Sequence, residues 1–152
     1  MSGKTSAVSI ALVLALTAGG AIAATSVEKA IALRQAGYKD IGKSFKAVSE
    51  ELKKDAPDTK LIAAEARMIH GHSLSIPKWF PKGSGPESGI KTKAKADIWA
   101  EPAKFADATK ALQIESKKLR TVAGKGDVEA IKLQFKATGG ACGGCHTPFR
   151  EK

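Results

Sequence analysis

The sequence predicts an all-α protein, an antiparallel four-helix bundle, on three observations. Four segments carry apolar side chains at alternating steps of three and four, the spacing of one buried helix face. Strand signals are absent. Connections marked by proline and glycine separate the segments and let each helix fold back on the one before it.

The first residues read as an export signal outside the fold. Lys4 supplies a positive start, residues 7–17 form an apolar run broken by Ser9, and Ala21-Ile22-Ala23 fits a small-x-small cleavage site. The run is short for a bilayer span, which takes about 20 apolar residues, and Gly19-Gly20 weaken it further. Residues 1–23 are therefore expected to be removed and residues 24–152 to form one domain with one core. Export places that domain in the periplasm.

The first helix is expected to open at Thr25-Ser26-Val27-Glu28, a capping-box pattern. Its seam runs Ile31, Arg34, Tyr38, Ile41, Phe45, Val48, Leu52, and it should stop before Pro57. The second helix spans about residues 58–76. Its register is ambiguous, because Leu61, Ile62, Met68, Ile69 and Ile76 could all face inward. Pro77 ends it. Residues 77–96 then form a long crossover rich in turn chemistry, with Pro77, Pro81, Pro86, Gly83, Gly85 and Gly89.

The third helix starts near Glu101, with Pro102 in the first turn, where a missing N–H does no harm. Phe105, Ala108, Leu112, Leu119 and Val122 form its inner face, and Gly124 and Gly126 end it. The fourth helix takes Asp127 as N-cap. Its seam is Val128, Ile131, Phe135, Thr138, Cys142, Cys145, Phe149, so both cysteines fall on the core-facing stripe.

Removing Lys4 with the signal leaves 24 basic against 15 acidic side chains, a net charge of +9. The basic residues are scattered rather than gathered into a stripe, and an exported protein does not meet nucleic acid, so that partner is excluded. An acidic protein or an anionic surface remains as a partner.

The only two cysteines lie in Cys142-Gly143-Gly144-Cys145-His146, the attachment pattern of c-type haem. Residues three and four apart share a helix face, so both thiols and the imidazole can address one macrocycle. The thiols would join its vinyl groups as thioethers, and His146 would bind the iron. Gly139, Gly140, Gly143 and Gly144 would let a flat ring approach the backbone. Three alternatives fit less well. A thioredoxin-type dithiol belongs at a helix start after a strand. A zinc site needs four ligands, and only His70 or His72 could join these three. A disulfide closes too small a loop to stabilise much and leaves His146 without a role.

Arg34 is the second informative residue. A charge on an apolar seam is costly unless paired. It either reaches out to water along its stem or meets an acid such as a haem propionate. Arg150, four residues after His146, is a similar candidate.

On these residues the chain resembles the cytochrome c′ family over essentially all of residues 24–152. The match rests on Arg34-Gln35-Ala36-Gly37-Tyr38, on Ile98-Trp99, and on Cys142 to Arg150 at the C-terminus. The resemblance implies one covalently attached haem c. It implies that Arg34 and Gln35 contact the propionates, that Tyr38 covers the open face of the iron, and that Arg150 lies beside the proximal histidine. It also implies a five-coordinate, high-spin iron held by His146 alone, binding of nitric oxide and carbon monoxide, and a homodimer through the first two helices. A low-spin branch of the family carries a methionine ligand in the first helix, where this chain has Arg34. After Met1 the only methionine is Met68, expected as a core filler. His70 and His72 are expected at the surface or its boundary. Pro148 should loosen the last turn.

Two functions follow. One is capture of small uncharged gases at an open iron. The other is one-electron transfer with an acidic partner steered by the positive surface, with the low-spin, six-coordinate carrier as the alternative form. No acid–base pair for an enzyme is evident.

Overall fold

The computed structural model describes the backbone from residue 18 and the side chains from residue 26 to the C-terminus. The apolar run of residues 7–17 lies outside the described residues, and the side chains of the cleavage-site residues 21–23 do too. Four long helices make the bundle: α1 (Ala18–Glu51), α2 (Thr59–Ser75), α4 (Pro102–Lys125) and α5 (Val128–Phe149). A single turn, α3 (Asp97–Ala100), precedes α4. Among the described residues no helix is long and apolar enough to cross a membrane.

α1 begins earlier than the capping box implies. Ala18, Ala21, Ala23 and Ala24 are strong helix formers and continue the hydrogen-bonded spiral toward the N-terminus, so Thr25 lies inside the helix. The other predicted boundaries are local and hold. Asp58 caps α2 by accepting from the Lys60 and Leu61 amides, and Asp127 caps α5 by accepting from the Ala130 amide. Each such cap is worth about 1 kcal/mol. Gly126, not Gly124, ends α4: it takes φ +77°, a left-handed conformation that costs glycine nothing.

α1 packs on α2, α2 on α4, and α4 on α5. The ambiguity in α2 resolves by sevens: Ile62, Ile69 and Ile76 are buried, with Ala66 and Ser73 between them. Leu61 and Met68 turn outward, and Met68 is 51% exposed, so it fills no core. His70 is also not where expected. It is buried between α2 and α4, its Nδ1 3.2 Å from Ser116 Oγ, which is itself 3.1 Å from Ser73 Oγ. His72 is half-buried against Trp79.

α1 and α5 run antiparallel and meet where Phe45 stacks on Phe135, ring centroids 4.1 Å apart. The approach is close at Gly139, where a Cβ would stand 3.2 Å from the Phe45 ring and push it by a few tenths of an ångström. Toward the start of α1 and the end of α5 the two helices enclose a cavity. The crossover, which includes 3₁₀ turns at Ile76–Trp79 and Pro86–Ser88, wraps that end of the bundle.

Candidate functional site

The cavity holds about 490 Å³, within the range of small-molecule sites. α1 contributes Arg34, Gln35, Tyr38 and Ile41. The crossover adds Phe80, Thr92, Lys93 and Ala94, and Ile98 and Phe105 form the floor. α5 contributes Cys145, His146 and Phe149, and Arg150 follows. The helical periods read from the sequence thus bring Arg34, Tyr38, Cys145 and His146 to one space, where Gln35 and Arg150 also stand. Cys142 lies one turn before Cys145, half-buried and packed against the core. Met68, His70 and His72 do not line the cavity.

Arg34 does not reach out to water. It is 3% exposed, and its guanidinium donates to Ser84 Oγ at 3.1 Å and to Thr92 Oγ1 at 2.7 Å. It lies 5.0 Å over the Phe80 ring and 6.0 Å from that of Trp99, a favourable place for a cation. Burial lowers its pKa, and Tyr38 and Glu87 push back in the opposite direction. A guanidinium stays charged throughout. Arg34 is in no ion pair among the described residues. Its partners are neutral hydroxyls, so its charge is left for an anion entering the cavity. Gln35 is exposed and donates to the Lys91 carbonyl at 3.0 Å, tying α1 to the crossover.

Tyr38 is held edge-on to Trp79, centroids 5.4 Å apart, and to Phe80 at 6.3 Å. Trp79 comes so close to α1 that a Cβ on Gly37 would overlap its ring. Burial, then the neighbouring Cys145, pushes the Tyr38 hydroxyl well above its ordinary pKa, so it stays protonated.

Burial raises the Cys142 thiol, and burial with Cys142 beside it pushes the Cys145 thiol up to about 11. A redox dithiol requires the opposite shift. His70 and His72, the two residues that could have completed a four-ligand zinc site, stand away from the cavity that Cys145 and His146 line. His146 lies exposed at the cavity edge, its pKa lowered by partial desolvation and by Arg150.

Pro148 does not displace Arg150. The helix runs through it to Phe149, the Arg150 amide donates to the His146 carbonyl at 3.1 Å, and Arg150 turns extended to bridge Ala94. That bridge is set by the crossover, not by the helical period. Gly140, Gly143 and Gly144 have open space where a Cβ would stand, unlike Gly139.

Sequence reasoning missed Ser84, Thr92 and Ala94. The crossover has no helical period to assign them, although the alternation in Lys91-Thr92-Lys93-Ala94-Lys95 was available. Thr92 turns in to bond Arg34 and Ala94 lines the cavity, with exposed Lys93 at its edge between them.

The residues present fit a flat, apolar, covalently tethered ring with anionic side groups: a nonpolar cavity, two thiols one helical turn apart, an imidazole beside them and a buried cation without an acidic partner. Comparison with known proteins agrees. Residues 29–150 match the family model for cytochrome c′. A cytochrome c′ of Pararhodospirillum photometricum is 36% identical over 128 residues, covering 83% of this chain and 99% of that one. Among solved structures, a nitric oxide complex of a leucine-to-alanine variant of cytochrome c′ from Alcaligenes xylosoxidans superposes with TM-score 0.74 at 26% identity, covering 83% of this chain and 96% of that one. A cytochrome c′ described as having an unusual ligand-controlled dimer dissociation gives TM-score 0.78 at 25% identity, over 83% and 97% of the two chains.

Proposed function

The chain belongs to the cytochrome c′ family, and on that premise we propose that it is a periplasmic gas-binding and electron-transferring protein with a five-coordinate, high-spin iron. It is a monohaem c-type cytochrome with one covalently attached haem c, and not a classical enzyme. Haem iron supplies one-electron exchange and affinity for small diatomic gases.

In this reading Cys142 and Cys145 hold the ring as thioethers, and His146 is the sole protein ligand to iron. Arg34 holds a propionate. Its two hydroxyl partners keep the guanidinium in place, so little side-chain entropy is lost when a carboxylate arrives. Gln35 assists at the crossover edge, and Arg150 stands beside His146. Tyr38 covers the remaining face and limits access by bulk, so that an uncharged diatomic enters where larger ligands clash.

The observation that carries the reading is the lining of the cavity. Among the described residues it includes one imidazole, His146, and no methionine. The nitric oxide complex of the Alcaligenes relative supports the gas ligand. Absorption spectra of the oxidised and reduced holoprotein test it. High-spin ferric and ferrous spectra are expected. A low-spin ferric spectrum with a sulfur-to-iron band would establish the six-coordinate carrier instead.

Two further parts belong to this proposal. Residues 1–23 are a cleaved export signal, which N-terminal sequencing of the secreted protein checks. The protein is a homodimer through α1 and α2. Exposed Leu33 on α1, with Met68 and Leu74 on α2, supports that surface, as does the dimer dissociation ascribed to a relative. Sedimentation of the holoprotein decides it.

A further inference from the structure

The +9 charge expected after export is spread along the chain, but the cations at the cavity mouth are organised. The crossover runs extended through Lys91-Thr92-Lys93-Ala94-Lys95. Thr92 is turned inward onto Arg34 and Ala94 lines the cavity, while Lys91 and Lys95 fall on the outer side and exposed Lys93 stands at the cavity edge. The C-terminal residues pair with this segment. Ala94 bridges Arg150, the Lys95 amide donates to the Phe149 carbonyl at 3.1 Å, and the Glu151 amide to the Lys93 carbonyl at 2.8 Å. Lys95 Nζ in turn donates to the Thr147 carbonyl, and Lys93 Nζ to a main-chain oxygen of Lys152, the last residue described.

The result is a two-stranded basic rim on one side of the opening, with Lys39 of α1 also at the mouth. None of Lys39, Lys91, Lys95 and Arg150 pairs with an acidic side chain among the described residues, whereas six lysines on the helices and turns do. The acids near it are Glu151 on the rim itself, exposed Asp97 just after Lys95, Glu87 near Arg34, and Asp40, which Lys43 already engages, fewer than the cations they face. No exposed large apolar side chain comes from residues 91–95 or 150–152, and an anchor in lipid would call for one.

We propose that this rim is the docking face for an acidic protein that exchanges electrons at the cavity mouth. The inference deepens the electron-transfer half of the proposed function and rests on it. Cations on a segment fixed by main-chain bonds, and without a side-chain acid as partner, attract a cluster of Asp and Glu without first breaking a side-chain ion pair. They also bring it to the edge of the cavity that would hold the haem. Such a face acts mainly on encounter rate and orientation, and its pull is screened within about 10 Å at 0.1 M salt.

Two experiments on the holoprotein test it. The first titrates a glutamate decapeptide into the unmodified ferric protein and follows backbone amide resonances. Saturable shifts confined to residues 91–95 and 150–152 are expected, and shifts elsewhere overturn the assignment. The second follows oxidation of the ferrous protein by hexacyanoferrate(III), which takes one electron and becomes hexacyanoferrate(II). The triple variant Lys91→Glu, Lys93→Glu, Lys95→Glu should react at least tenfold more slowly. A control of equal net charge, Lys53→Glu, Lys110→Glu, Lys125→Glu, should stay within twofold of the unmodified protein. Equal losses in the two triples would show that only net charge counts and overturn the docking face. Rim-dependent binding to phosphatidylglycerol vesicles at 0.1 M salt without peptide binding would also overturn it, in favour of a membrane surface. If the unmodified protein exchanges no electrons with hexacyanoferrate(III), the electron-transfer reading itself fails, and the peptide shifts still judge the rim as a binding face.

Discussion

Arg34 and Thr92 stand 58 positions apart in the chain and meet at 2.7 Å, guanidinium to hydroxyl. This contact fastens the crossover onto α1 and fixes the cation inside the cavity. Replacing Thr92 with valine keeps the shape and removes the acceptor. It should cost about 1 kcal/mol of stability, and more if the charge is left poorly solvated. Arg34→Leu removes both guanidinium bonds, leaving Ser84 its bond to the Pro81 carbonyl and Thr92 its bond from the Ala94 amide, for about 1–2 kcal/mol. Denaturant unfolding of the holoproteins measures both. Arg34→Leu should also shift the midpoint potential, because it removes a positive charge from the cavity wall, whereas Thr92→Val should leave the potential nearly unchanged.

Gly37 and Gly71 make a contrast within helices. A Cβ on Gly37 would overlap the Trp79 ring, and a Cβ on Gly71 would meet nothing within 4 Å. Intrinsic propensity favours alanine at both by about 1 kcal/mol. At Gly37 the overlap dominates, because Trp79 is packed against Tyr38 and the core and has little room to move. Gly37→Ala should therefore destabilise by about 1–3 kcal/mol, the usual cost of overpacking. Gly71→Ala should stabilise by about 0.5–1 kcal/mol. Thermal unfolding of the two variants beside the parent reports the opposite signs.

The difference between these positions also marks what the sequence disclosed. Elements governed by local rules were legible: the start of α2 near Asp58, the Asp127 cap, the Gly126 stop, and the seams of α1 and α5 that carry Arg34, Tyr38 and the cysteines to one end. Gly37 was visible only within a family motif, because its reason is a ring from a distant turn. Ser84 and Thr92 were invisible because nothing periodic orders the crossover. His70 and Met68 were misjudged because α2 places apolar residues in adjacent pairs, Leu61-Ile62 and Met68-Ile69. Only packing against α1 and α4 decides which member of each pair turns inward.

Tyr38 is the proposed cover of the iron's open face. Its hydroxyl stays protonated because burial penalises the phenolate, so its action is steric and independent of pH across the physiological range. Tyr38→Ala should speed carbon monoxide association with the ferrous protein by at least tenfold, measured by flash photolysis. Tyr38→Phe, which keeps the ring, should remain close to the parent. Equal rates in all three would show that bulk at this position does not control entry.

His70 should make stability pH-dependent through α2 and α4. Burial lowers its folded pKa, and Arg120 and Lys117 on α4 lower it further. The unfolded state therefore binds its proton first as pH falls. Where the unfolded chain holds more protons, stability rises with pH. The expected window opens near the ordinary histidine value of about 6.5 and continues down to the depressed folded value. Above the window both states are neutral and His70 imposes no penalty. Below it, an imidazolium is forced between Ser116 and two cations. Parent holoprotein should thus lose stability between pH 7 and pH 5. His70→Gln, which keeps a hydrogen-bonding group toward Ser116 and cannot take up a proton, should lose less over the same interval. Denaturant unfolding at pH 7, 6 and 5 reads the difference. If both proteins decline in parallel, the acid sensitivity comes from another group, and the buried His70–Ser116 contact is structural at every pH.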